Sequence, residues 1–200
     1  MGTQRCECAF EKLCTQVRAC QLCETHLPLG PRPVFQAHPA ARILIAAQAP
    51  GTRVHETGIP FNDPSGDRLR QWMGIDRDVF YDELRIALLP MGFCYPGRGK
   101  SGDLPPREEC APAWRKSLLD HLPDIRLTLV MGQYAHGWHL PEPAYQNLTE
   151  RVRAWRTFGD GIMPLPHPSP RNNLWLRRNP WFEEELVPAL RERVQQIIGR

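Results

Sequence analysis

Lysine is almost absent from this chain. Of its 25 basic residues only Lys12, Lys100 and Lys116 are lysines, and arginine supplies the rest. The sequence therefore has few mobile point charges and many planar guanidinium forks, which suit phosphate. A GC-rich genome produces the same bias, so the arginines alone do not define a partner. Long apolar runs are missing too. None approaches the roughly 20 residues that a membrane helix needs, so no membrane partner is expected. Met1 to Cys14 lacks the apolar stretch of a secretory signal, and the cytoplasm is the expected compartment. There is no internal repeat and no Gly/Ser tract. The 21 prolines lie around short loops, so they read as rigid connections rather than a linker.

What remains is an ordinary globular composition, 42% apolar and 24% charged over 200 residues, with a net charge of +3. That length fits one domain, residues 1–200, preceded in its own first part by a cysteine-bearing helical segment, 1–40. Four short apolar runs read as buried strands: Arg42 to Ala47, Leu84 to Leu89, Leu127 to Met131 and Gly161 to Leu165. Pro164 puts the last at or near a sheet edge. Helical spacing recurs over Cys6 to Cys23, Ser65 to Met73, Arg107 to His121, from Tyr134, Leu148 to Phe158, and Trp181 to Ile198. Strands alternating with helices imply a three-layer α/β/α sandwich around a mostly parallel four-stranded sheet. In such a sheet the ligand lies beyond the carboxyl ends of the strands. The loops at those ends are Gln48 to Gly51, Met91 to Tyr95, Gly132-Gln133 and His167 to Arg171.

Several residues there carry chemistry. Seven cysteines in a reducing compartment argue against a disulfide framework. Cys20 and Cys23 form a CxxC pair, and Cys94 and Cys110 bracket a Gly/Pro-rich loop. Four thiolates can hold zinc or an iron–sulfur cluster, and the wide second pair suits a cluster better. Spacing alone does not separate ligands from buried thiols. Cys6, Cys8 and Cys14 read as non-ligands, with Cys14 a possible substitute. In His167-Pro-Ser-Pro-Arg171 the prolines hold the backbone extended around Ser169 and present His167 and Arg171 rigidly. Arg177 and Arg178 extend a basic patch suited to phosphate. Gly51 lets backbone N–H groups approach a ligand. Phe61 offers a stacking face or a core aromatic, Asp63 can polarise a water, and Asp67 reads as a helix cap.

Ala47-Gln-Ala-Pro-Gly51, Gly58-Ile-Pro-Phe61, Ser65-Gly-Asp-Arg-Leu69 and His167-Pro-Ser-Pro170 together resemble the uracil-DNA glycosylase superfamily. The resemblance is greatest to its iron–sulfur branches, family 4 and family 5, and runs from Cys20 to about Phe182. The stretch from His167 to Phe182 also resembles a bacterial subgroup of that superfamily. The resemblance implies a DNA glycosylase of base-excision repair, a monomer acting on damaged DNA. It implies a [4Fe–4S] cluster on Cys20, Cys23, Cys94 and Cys110, with zinc as the alternative. Gln48 and the backbone of Ala49, Pro50 and Gly51 would line the base pocket and place water. Phe61 would stack on the flipped base, with Met91 nearby. His167 would hydrogen-bond the departing base, and Asp63 would activate water. Ser169, Arg171, Arg177 and Arg178 would contact DNA.

Two positions depart from the family 4 pattern. Gln48 replaces a glutamate, and an amide cannot act as a base at neutral pH. Pro90 replaces the asparagine that reads the uracil edge, and proline offers no side-chain donor or acceptor. A binder of damaged or single-stranded DNA that has lost catalysis fits those departures. A pocket that hydrolyses a nucleoside or nucleotide is a third reading.

Overall fold

The structure, a computed structural model, describes residues 2–100, 102–141 and 147–199, with side chains from Ala9 onward. The side chains of Cys6 and Cys8 lie outside that set. In chain order the regular elements are α1 (Gly2–Arg18), β1 (Ile43–Ala46), α2 (Thr52–Thr57), α3 (Pro64–Met73), α4 (Arg77–Tyr81) and β2 (Ile86–Leu88). Next come β3 (Arg98–Gly99), β4 (Gly102–Asp103), α5 (Cys110–Leu119), β5 (Leu127–Met131) and α6 (Gly132–His139). The chain ends with α7 (Leu148–Arg153), β6 (Ile162–Leu165), α8 (Asn173–Arg178) and α9 (Val187–Ile198). Among the described residues no helix is long and apolar enough to cross a membrane.

The main sheet has the order β2-β1-β5-β6, and all three pairings are parallel. The two-residue period of a strand explains the layers. Ile43 and Ile45 point into one core with Leu69, Met73, Phe182 and Leu190, from α3 and the C-terminal helical region. Leu44 points the opposite way, into a second core with Phe10, Val17, Phe93 and Leu118. A sheet buried on both faces has continuous apolar strands, as these are. The expected three-layer arrangement is the one observed, and Pro164 lies on the edge strand β6.

Local boundaries differ where turn chemistry intervenes. β2 begins at Ile86 because Leu84 and Arg85 belong to a turn, in which Leu84 N–H bonds Asp82 Oδ1 at 3.1 Å. The helix expected over Trp181 to Ile198 opens with a π-helical turn, Phe182–Leu186, and becomes α-helical as α9. Pro188 lies in the first turn of α9, where its missing N–H is tolerated. The segment expected as one helix over Leu148 to Phe158 is α7 followed by a 3₁₀ turn, Trp155–Phe158. The short helices α2, α4 and α8 and the β3–β4 ribbon have no counterpart in the sequence reading.

Candidate active site

Parallel pairing sends every strand of the main sheet out through the same rim. There a cavity of about 620 Å³ opens, lined by residues that include Gln48, Gly51, Phe61, Asp63, Asp103 and His167. Its size is in the range of small-molecule pockets.

The chain leaving β1 is fixed by backbone bonds to the chain leaving β2: Met91 N–H to Ala47 O at 2.8 Å and Gly92 N–H to Gln48 O at 2.9 Å. These continue the sheet ladder past its formal end and hold the Gln48–Gly51 wall. The Gln48 side chain packs on Gly132, where any Cβ would lie 3.0 Å from Gln48 Oε1 and φ is +80°. Its amide makes no hydrogen bond among the described residues, which leaves both donor and acceptor available to a ligand. Met91 was expected in the pocket. Its side chain instead packs into a core with Ala46, Ala111 and Val130, and Pro90 takes its place in the cavity wall.

Phe61 stands in the left-handed region at φ 55°, a costly conformation for a non-glycine residue. It is held there by α3. Gly66 packs on the Phe61 backbone so closely that a Cβ would overlap its carbonyl oxygen. Phe80 meets the Phe61 ring edge-on, with centroids 5.9 Å apart. Asp63, not Asp67, caps α3: its Oδ1 accepts from Gly66 N–H at 2.9 Å. Asp67 pairs with Arg70 inside the helix. Pro64 at the first helical position fixes the start one residue earlier than expected.

His167 comes from the loop after β6. The backbone N–H of Ser169 donates to its Nδ1 at 3.2 Å, and Asn172 Nδ2 donates to its carbonyl at 2.7 Å. Burial pushes the imidazole down to about 4, with Asp103 opposing and Arg171 adding to the shift. At neutral pH the ring is therefore uncharged. A neutral ring whose Nδ1 accepts carries its proton on Nε2. Arg68 of α3 bonds Ser169 O at 3.1 Å and Asn173 Oδ1 at 2.7 Å, tying this loop to the Phe61 segment. Beneath, His136 Nε2 lies 2.9 Å from Val130 O and 3.2 Å from Leu165 O, clamping the ends of β5 and β6.

Ser169 and Arg171 line the cavity, as do Arg53 and Arg98. Arg177 and Arg178 lie in the last turn of α8, exposed and off the cavity wall. Asp103 is the residue that sequence reasoning missed. It sits on the β3–β4 ribbon, inside the Gly/Pro-rich loop between Cys94 and Cys110. Its Oδ2 would lie 3.6 Å from a Cβ on Gly51.

Away from this cavity, Cys20, Cys23, Cys94 and Cys110 line one small apolar cavity with Trp114 and Phe93. Two N–H groups point at its sulfurs: Trp114 Nε1 to Cys20 Sγ at 3.1 Å and Phe93 N to Cys110 Sγ at 3.3 Å. Burial pushes Cys94 up to about 11 and Cys110 up to about 12, and the neighbouring sulfurs add to both shifts. Buried sulfurs that raise one another in this way are stabilised as thiolates by a bound cation. Among the described residues no three of these side chains are gathered closely enough to hold a metal ion as they stand, and the four cysteines share only the lining of this small hollow. Cys14 lies in the core with Phe10 and Val17, apart from that ring.

A proposed uracil DNA glycosylase from Methanosarcina acetivorans, solved by solution NMR, is similar at 18% identity and a TM-score of 0.45, over 80% of this chain and 98% of that one. The family model of the Uracil DNA glycosylase superfamily matches residues 35–191. With most of its length matched, including both cavity-forming loops, the chain belongs to the uracil DNA glycosylase superfamily.

Proposed function

We propose that this chain is a DNA glycosylase that takes a deaminated base out of the stack and hydrolyses its N-glycosidic bond. The observation that carries the reading is the convergence of Gln48, Phe61 and the neutral His167 on one cavity. Breaking the bond leaves negative charge on the base and positive charge on the sugar. A flipped base needs a face to stack on, and Phe61 supplies one. The Nε2–H of His167 donates to the base oxygen where the negative charge gathers. One such fixed donor contributes about 3 to 4 kcal/mol to the barrier. Donation without proton transfer suits an imidazole held neutral by its surroundings. The Gln48 amide and the Ala49–Gly51 backbone orient the water. Pro90 offers no side-chain contact to a base edge, which leaves His167 as the group that meets the base. Arg53, Arg98 and Arg171 on the cavity wall attract the phosphates around the flipped nucleotide. Arg177 and Arg178 extend that field.

Cys20, Cys23, Cys94 and Cys110 would hold a [4Fe–4S] cluster. When bound it supplies a cross-link between the segment before β1, the chain after β2 and the start of α5.

The test is a base-release panel. Oligonucleotides carrying uracil, hypoxanthine or xanthine, single- and double-stranded, are incubated with the protein and treated with alkali. Cleavage at one of these bases is the expected result. No release from any of them, with abasic DNA still bound, would replace the enzyme by a damage-binding protein.

A further inference from the structure

We infer that Asp103 is a catalytic residue of this cavity, the carboxylate that takes the proton of the attacking water; the inference rests on the glycosylase reading above. Two carboxylates, Asp63 and Asp103, line the cavity among the described residues. They are not equivalent. Asp63 Oδ1 is engaged as the cap of α3, bound to Gly66 N–H at 2.9 Å. Asp103 enters no side-chain hydrogen bond and no ion pair among the described residues, and it is exposed to the cavity. It stands across from the Gly51 wall, and its charge acts directly on His167.

The ribbon that carries Asp103 lies against Arg171 of the His167 loop. Gly102 has φ +147°, and the Arg171 guanidinium lies where a Cβ would project from it. A side chain at this position would displace the guanidinium. On the ribbon, Arg98 pairs with Asp103 in antiparallel register. Arg171 thus lies between the ribbon of Asp103 and the loop of His167, and all three line one hollow.

The chemistry needs a group of this sign. Arg53, Arg98 and Arg171 make the wall basic, which attracts phosphates but opposes a cation forming on the sugar. A free carboxylate offsets that field where the cation develops. In the step, the C1′–N bond breaks and its electron pair leaves with the base, held by the Nε2–H of His167. The water oxygen bonds C1′, and its proton passes to the Asp103 carboxylate. Release of that proton to the base or solvent returns the enzyme, and the products are free base and an abasic site.

The experiment measures single-turnover base release on the same panel, alongside affinity for abasic DNA. Asp103→Asn is expected to slow release about 100-fold, as loss of a general base does, with abasic affinity unchanged. Asp103→Gly is expected to recover release when formate is added, since formate restores a carboxylate in the vacated space. Thermal melting checks that both variants fold. Release by Asp103→Asn at the wild-type rate would overturn the inference and leave the glycosylase reading standing. So would a loss matched by weaker DNA binding and not rescued by formate. A wild-type protein that releases no base would overturn both.

Discussion

The hydrogen bond from Ser169 N–H to His167 Nδ1, 3.2 Å long, determines which edge of the imidazole can donate to a ligand. His167→Ala removes that donor and is expected to lower base release about 100- to 1,000-fold, with DNA affinity retained. Equal release by both proteins would remove His167 from the mechanism.

The same residue predicts an acid-sensitive fold. Its imidazole is lowered from 6.5 to about 4 by burial. Between those values the unfolded chain binds a proton that the folded chain refuses. The contribution of this group is full above pH 6.5 and is lost as pH falls toward 4. His139, lowered by burial and by Arg115 to about 3, acts in the same direction. Melting temperatures measured from pH 8 to pH 4 should fall on the acid side, and less steeply in His167→Gln.

The Phe61 conformation depends on Gly66. Gly66→Ala drives a Cβ into the Phe61 carbonyl, and overpacking of this kind costs about 3 kcal/mol. Asp63→Ala loses the cap alone, about 1 kcal/mol. Urea denaturation should rank the two in that order. A Gly66→Ala protein as stable as the parent would mean that the Phe61 turn can relax.

Arg115 is fully buried, and among the described residues no carboxylate pairs with it. Its NH1 donates to Leu89 O at 2.8 Å and Pro90 O at 3.0 Å, and its Nε to His139 Nε2 at 3.1 Å. It therefore supports the cavity wall from behind. Arg115→Met leaves those acceptors unpaired and should cost about 3 kcal/mol. Urea denaturation measures this, and an unchanged midpoint would show that the wall stands without the guanidinium.

Protein purified without oxygen is expected to be brown, with about four irons per chain on its four cysteines. Cys110→Ser should lose the colour and Cys14→Ser should keep it. A colourless protein with one zinc would overturn the cluster assignment.

The parts of this molecule that could be read from sequence are those fixed by local chemistry. The runs at β1 and β5 are apolar throughout and end at turn residues, so burial on both sheet faces is written in them. The Gln48 and His167 loops were legible because proline limits their backbone. Asp63 shows where a rule was available and misapplied: Pro64 marks the first helical position, so the cap precedes it. Met91 was placed in the pocket by proximity to Pro90, but its side chain turns into the core. The Asp103 ribbon left no signal, because strands of two residues have no periodicity. It lies beside Arg171, far away in the chain.

Both margins of the main sheet are poor templates for a further strand. Pro164 offers no N–H on the open side of β6, and Gln36 covers β2 through a bridge to Leu88 and a bond from Nε2 to Ile86 O at 2.8 Å. The proline interrupts the row of donors on one margin and Gln36 occupies the other, which guards against edge-to-edge aggregation.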